Sequence, residues 1–431
     1  MRQDHVRQLL RYRWAIFGIL ALAYLFVYFH RLSLSVVAND LVREFNTSAS
    51  VLGLLGSIYF YCYAAMQFPA GLLADSIGPR KTVAAFLLIA SAGSILFGLA
   101  PNLTVAFAGR VLVGFGVSMV FIPTMKILAQ WFRPREFASM AGILNAVGGA
   151  GVLAATWLLA LMTATLGWRL SFQLIGGCTI AIAALAWIMV RDRPQDRGWP
   201  SIFEIDRDSG GSPPAPQTIT LMAGARRVVS EKYFWPVAVW FFFDCGIFFG
   251  FGALWGGPYL MHVYGMSRAQ AGTILSMIAW GMIVGSPLLG FVSDKILKSR
   301  KKPILLCTAV LTAELGFMTF YPEGLSVPVL YVLFFVLSVC ASSVVVLGFT
   351  TTKELFPVEI AGTSVGTVNL FPFLGGAVFM PLLGKILDFY PKTAAGGTVV
   401  EGYTALLLAL LVSSAVALCC AIVMKETFQE K

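Results

Sequence analysis

Long apolar runs, broken by short charged or Pro/Gly-rich stretches, fill the chain almost from end to end. They fall at residues 14–38, 51–74, 83–100, 103–131, 137–162, 169–190, 233–262, 269–293, 303–322, 327–353, 359–387 and 402–424. A helix crossing a bilayer uses about 20 apolar residues. The runs are of that size, so the pattern predicts an all-α membrane protein with twelve transmembrane helices. The longest polar stretch, 191–232, holds GGSPPAP among mixed charges, the composition of a flexible cytoplasmic linker. Six runs lie on either side of it. The expected organisation is an N-terminal six-helix bundle over 1–190 and a C-terminal one over 233–431.

The halves echo one another. Gly53 to Asp75 aligns with Gly272 to Asp294 without a gap, matching Gly53 with Gly272, Ser57 with Ser276, Gly71 with Gly290 and Asp75 with Asp294. Gly142 and Asn145 are answered by Gly366 and Asn369. Repeated halves place a binding site at their interface near the membrane midplane, reached by rocking one half against the other.

Composition narrows the function. The chain is 58% hydrophobic and 12% charged, with mean hydropathy +0.81, against roughly a quarter charged in soluble domains. That leaves no room for a soluble catalytic domain. There is no HExxH motif and no metal-ligand cluster, so neither an enzyme nor a bound cofactor or metal is expected. Of the Lys and Arg residues, about 23 fall in segments on the N-terminal side of the bilayer and about 5 in loops on the other. The positive-inside rule then predicts cytoplasmic termini in a bacterial inner membrane. The net charge of +10 is accounted for by topology and anionic lipid, without nucleic acid. Arg2, Arg7, Arg11 and Arg13 precede an uncleaved first helix, and the seven cysteines sit in apolar runs as packing residues. A monomer is expected.

Ionisable groups inside apolar runs cost several kcal/mol unless they face a cavity or a partner. Arg31 shares a helical face with Tyr24, Tyr28 and Ser35, and a guanidinium there suits a carboxylate bidentately. Lys126 is placed either to assist an anion or to reach the interface. Asp244 is expected to pair with Arg31, to carry a proton or to sit near headgroups at the inner side, and Glu314 to pair structurally. His30 titrates near neutrality when unperturbed. Tyr59, Tyr63 and Gln67 form a stripe at four-residue spacing. Asn145, Trp255, Trp280 and Asn369 complete the candidate lining.

The stretch GLLADSIGPRK resembles the loop between helices two and three of the major facilitator superfamily, with Gly71, Asp75, Gly78, Arg80 and Lys81 in place. Arg110 in RVLVGFG resembles the superfamily's helix-four arginine, and Gly290 and Asp294 give a weaker second-half echo. The resemblance extends along essentially the whole chain and implies two pseudo-symmetric bundles gated by these residues. YFHRLSLS is similar to the anion:cation symporters' Tyr-x-acid-Arg-x-x-x-Ser, through Tyr28, Arg31 and Ser35, with His30 in place of the acid. WFRPREFASMAGI, GWRLSF and RDRPQDRGWPS also look like that branch and its organophosphate antiporter relatives. Where those antiporters carry an arginine in helix seven and a lysine in helix two, this chain aligns Phe248 or Phe249 and Gln67. The symporters' helix-four carboxylate aligns with Val117.

The resulting expectation is a secondary active transporter of a small organic anion, a carboxylate, working by alternating access. It would be driven by protons, or by sodium, with His30 and Asp244 as proton carriers. The alternatives are an efflux carrier for amphipathic compounds and a solute sensor that does not transport.

Overall fold

The computed structural model of the protein describes residues 2–207, 221–357, 360–393 and 397–428. Hydrocarbon offers no partner to backbone N–H and C=O groups, so a chain this apolar satisfies them within helices. Among the described residues the only strand-like feature is an isolated bridge between Lys392 and Thr398.

Among the described residues, eleven helical stretches are long and apolar enough to cross a membrane. One of them, Met140–Met189, has 50 residues, about 75 Å at 1.5 Å per residue, more than twice the hydrocarbon thickness of about 30 Å. Gly167 breaks it at φ 74° and ψ 162°, values outside the helical region. The break separates the fifth span from the sixth, giving the twelve expected. GGSPPAP lies outside the described residues. Beside it are short helical pieces, Ile202–Arg207 and Leu221–Val229.

Spans one, four, five, seven, eight, ten and eleven are interrupted, span five by a π segment at Ala154–Leu158, span eight by one at Val292–Ile296 and span eleven at Asn369. The first runs Arg2–Leu32, turns at Ser33 and resumes Leu34–Phe45. The fourth is Leu103–Ser118 followed by Phe121–Trp131. The seventh passes from Phe234–Ile247 through a π-helical segment, Phe248–Trp255, to Gly256–Val263. The tenth has its π segment at Val339–Ser343. Such segments in membrane helices mark functional hinges and free backbone groups where a cavity can use them.

The chain divides into two compact units. The first gathers Met1–His30, Cys62–Gly151 and Arg169–Gln217. Within it, spans three and four meet through Gly93 and Gly109, each backed by the other's backbone. Ser91 and Ser94 donate across to Gly176 and Phe172 carbonyls at 2.8 and 2.9 Å. At the linker end, Gly78 turns the chain into the third span with φ 99°. Asp192 accepts from the Arg80 amide at 2.6 Å, and a β-carbon on Gly78 would stand 2.6 Å from Asp192 Oδ2. The motif RDRPQDRGWPS thus closes this end: the Arg191 carbonyl accepts from Trp131 Nε1 at 2.9 Å, and Arg197 stacks 4.1 Å above the Tyr12 ring. Arg13 bonds Glu136 at 2.9 Å. Burial raises the Glu136 carboxyl, but bonds from the Arg133 amide and Arg13 outweigh it and hold the group below the usual carboxylate range.

Gly78→Ala forces an L residue into that region of φ, at about 1–2 kcal/mol, and collides with Asp192. Asp192→Ala removes a helix-start acceptor worth about 1 kcal/mol. Thermal unfolding in detergent is expected to rank Gly78→Ala the more damaging. The double variant should cost less than the sum, because the collision disappears with the carboxylate.

The second unit gathers Arg31–Tyr61, Val152–Trp168 and Thr218–Lys431. The ends of spans one, two and five remote from the linker therefore pack with second-half spans, and each meeting is made at a glycine. Gly257 lies against the Ser35 backbone and 2.7 Å, measured from a would-be β-carbon, from Ser35 Oγ. A β-carbon on Gly53 would meet the Met380 carbonyl and stand 2.7 Å from Pro381 Cα, and one on Gly384 would meet the Ala49 carbonyl and stand 2.9 Å from Ser50 Cα. A β-carbon on Gly272 would be 2.6 Å from Ala160 Cβ. Asp388 then accepts from the Ala49 and Ser50 amides, both at 2.8 Å, capping the second span. Arg268 pairs with Asp40.

Candidate functional site

Arg31 sits two residues before the Ser33 turn and is 6% exposed. Its guanidinium carbon is 5.2 Å from the Phe373 ring centre and 5.7 Å from that of Phe249. Phe60 completes the group, 4.7 Å from Phe249 and 6.4 Å from Phe373, with Tyr59 edge-on to it at 5.1 Å. A β-carbon on Gly376 would be 3.0 Å from the Phe60 ring and 3.1 Å from Phe249 Cβ, so glycine there makes room for both rings. A desolvated cation on aromatic faces gains about 2 kcal/mol. Rings engage the flat of a guanidinium and leave the five N–H donors on its edge. Phe249, one of the two phenylalanines aligned with the antiporters' second arginine, lies against Arg31.

Three of the other second-unit candidates have distinct placements. Trp255 is buried and spends its N–H on the Met380 carbonyl at 3.0 Å, fastening spans seven and eleven. Trp280 is 46% exposed. Asn369 is half-buried at the joint between Ala361–Val368 and Leu370–Asp388.

The first unit brings together Tyr24 and Tyr28, 5.3 Å apart, with Phe121 5.5 Å from Tyr24. Gly148 presses on both tyrosines: its β-carbon would be 2.8 Å from Tyr28 and 3.3 Å from Tyr24. Asn145 stands one turn before Gly148, and Lys126 on the same helical piece as Phe121; both are half-buried. Tyr63 is buried, and Gln67 donates to its carbonyl at 3.4 Å. His30 is wholly buried, edge-on to Phe29 at 5.6 Å.

Three expectations change. Arg110 is not at the gate. It is 1% exposed, seven residues into a span that starts at the end opposite Gly78–Lys81, and it donates to the His30 carbonyl at 3.2 Å. It ties span four to span one. Asp244 does not pair with Arg31; it is wholly buried, and neither carboxylate oxygen has a hydrogen-bond partner among the described residues. Glu314 makes no structural pair either, being 6% exposed with both oxygens equally unpartnered.

Gly71 and Asp75 lie on the Ala49–Ser76 helix, but their side-chain surroundings fall outside the described residues. In the second half Asp294 pairs with Arg300, which also reaches Glu354 at 3.1 Å, while Glu426 accepts from the Arg300 amide at 2.9 Å. Gly290 has open space around it.

The family profile of the Major Facilitator Superfamily matches residues 20–379 and 242–427. The chain belongs to that superfamily, a family of membrane transporters and not of enzymes. It is 25% identical over 393 residues to the "Probable galactarate/D-glucarate transporter GarP" of Escherichia coli (strain K12), covering 84% of this chain and 85% of that one. It is 24% identical over 404 residues to the "Membrane sensor protein UhpC" of Salmonella typhimurium, covering 90% and 88%. Among solved structures, a bacterial homolog of the human lysosomal transporter Spinster superposes with a TM-score of 0.75 at 18% identity, covering 96% of this chain and 98% of that one. It shares the fold.

Proposed function

We propose that this protein is a secondary active transporter of a small organic anion carrying a carboxylate, with Arg31 as the anchor. The observation that carries the reading is an arginine buried in a membrane helix beside a break in that helix, stacked near Phe249 and Phe373. A buried guanidinium is expensive unless it meets an anion, and its donor edge matches a carboxylate. The relative named for galactarate and D-glucarate supports this class of substrate.

The working parts are the halves 1–190 and 233–431, joined by 191–232, with both termini in the cytoplasm of a bacterial cell. Tyr24, Tyr28, Tyr59, Tyr63, Gln67, Lys126, Asn145, Trp280 and Asn369 serve as lining. The gates are the Gly78–Lys81 turn with Gly71 and Asp75, and the Gly290–Asp294 segment. The protein works as a monomer, and protons entering through His30 drive accumulation.

The test is uptake of radiolabelled D-glucarate into proteoliposomes, with and without an imposed pH gradient, beside a thermal-shift series with the same compound. Ligand at a hundredfold excess over Kd is expected to stabilise the protein by about 2.7 kcal/mol, and an inward proton gradient to raise accumulation. His30→Gln is expected to flatten the response to the gradient. Uptake indifferent to pH in the wild type would remove proton coupling. The sensor relative favours one other reading: stabilisation by D-glucarate with no uptake under any gradient would establish a receptor.

A further inference from the structure

Asp244 and Glu314 belong to one buried polar cluster on the second-half spans. Trp240, one turn before Asp244, donates to Thr308 on the ninth span at 2.9 Å, which sets the seventh span against the ninth at this level. Cys307 adjoins Thr308. Leu311 and Glu314 follow at one and two turns on the same buried face. Cys307 neighbours Cys340 of the tenth span, both are buried, and Cys340 lies within electrostatic reach of both carboxyl groups. Asp244 is ten residues into its span and Glu314 thirteen into its own, so at 1.5 Å per residue each lies near the middle of the bilayer.

No cation faces the pair among the described residues. From the first span, Arg31 acts on Cys245, the residue beside Asp244. The tenth span offers Cys340, and carries Lys353 and Glu354 only in its last turn. The ionisable side chains of span eleven are Lys385 and Asp388, at the end remote from the linker, and those of span twelve are Glu401, Tyr403, Cys419 and Cys420, near its two ends. A carboxylate ion buried without a cation or a hydrogen-bond donor from the protein is strongly disfavoured in such a place, whereas a carboxylic acid is tolerated.

We propose that Asp244 and Glu314 form a proton-binding pair, separate from His30, that holds its protons as –COOH in this conformation and releases them to water during the transport cycle. The surrounding backbone supplies the means. Asp244 lies four residues before the π segment Phe248–Trp255, and Cys340 lies within the π segment Val339–Ser343. A π segment carries a loosened hydrogen-bond ladder and is the place where a helix can shift by a residue. Such a shift in span seven or ten opens the cluster to water; each O–H bond then breaks, leaving –COO⁻ and a hydrated proton. Reclosure requires the proton to return. This inference extends the transport reading above, which uses His30 and Arg31.

The primary experiment is infrared difference spectroscopy of the purified full-length protein in lipid. Carboxylic acid C=O bands are expected near neutral pH, one lost in Asp244→Asn and one in Glu314→Gln, and both should fall in intensity as pH is raised. The bands should also change on addition of D-glucarate. Absence of the bands from folded wild type overturns the proposal. So does their indifference to both pH and D-glucarate, which would make the acids permanent packing groups.

The parallel measurement is the ratio of pH-driven to counterflow uptake of D-glucarate in Glu314→Gln. It is expected to fall at least tenfold, and an unchanged ratio would also overturn the pair. Should wild type transport no D-glucarate, the substrate reading fails, while the pH response of the infrared bands still decides the proton pair.

Discussion

Arg31→Ala is expected to reduce D-glucarate uptake by about a hundredfold or more. Truncating one partner of a desolvated, hydrogen-bonded charge pair costs about 2–5 kcal/mol, and here the anion would be left with no fork to meet it. Arg31→Lys keeps the charge but loses both the planar donor edge and the stacking on Phe249 and Phe373. It should fall between wild type and alanine, at roughly a tenth of wild-type uptake. Phe373→Leu separates the two effects: volume is retained, the aromatic face is lost, and KM should rise by a factor of a few while the protein stays folded. Unaltered uptake in Arg31→Ala, at normal expression and thermal stability, would remove the residue from the site.

Bulk at the glycines of the second unit is expected to shift the conformational balance as strongly. Gly53 meets the Met380 and Pro381 backbone and Gly384 the Ala49 and Ser50 backbone, so neither neighbour can rotate aside as a flexible side chain would. Overpacking typically costs 1–3 kcal/mol, and backbone against backbone belongs at the upper end of that range, a population change of about a hundredfold. Gly53→Val should therefore empty the state in which Arg31–Tyr61 packs against the second-half spans.

The readout is disulfide formation between cysteines placed at Asp40 and Arg268, which form an ion pair in this structure. Efficient cross-linking is expected in the wild-type background and little with Gly53→Val. A second cysteine pair spanning the linker-end gates should respond in the opposite sense. Equal cross-linking in both backgrounds would mean that the glycine contact does not control closure.

The spans were legible because a bilayer imposes one rule on every segment, and runs of about 20 apolar residues answer it directly. The break at Gly167 was equally plain: GWRLSF brings polar groups between two apolar runs. The setting of Arg31 was less so. Its charge marked it, but in a chain with 34 phenylalanines nothing in the composition singles out Phe60 and Phe373. A signal existed in the spacing: Phe373 and Gly376 follow Asn369 by four and seven residues, on the face that the repeat with Asn145 had already marked. Asp192 was hidden for a different reason. Asp75 is near Arg80 in sequence, whereas Asp192 reaches the same turn from 112 residues away. Glu314 looked like half of an ion pair because isolated acids in membranes usually have partners. Only the fold shows that this one is buried with neither oxygen hydrogen-bonded among the described residues.

The glycine contacts also bear on leakage. A carrier that accumulates solute against a gradient must not conduct protons through its shut end, and protons travel along files of hydrogen-bonded water. Where Gly53 rests on Met380 and Pro381, and Gly384 on Ala49 and Ser50, main chain touches main chain too closely to admit even one water molecule. A seal made of polar side chains would be breached whenever one of them changed rotamer. A seal made of backbone has no rotamers to change, so insulation here depends on the absence of side chains at a few positions.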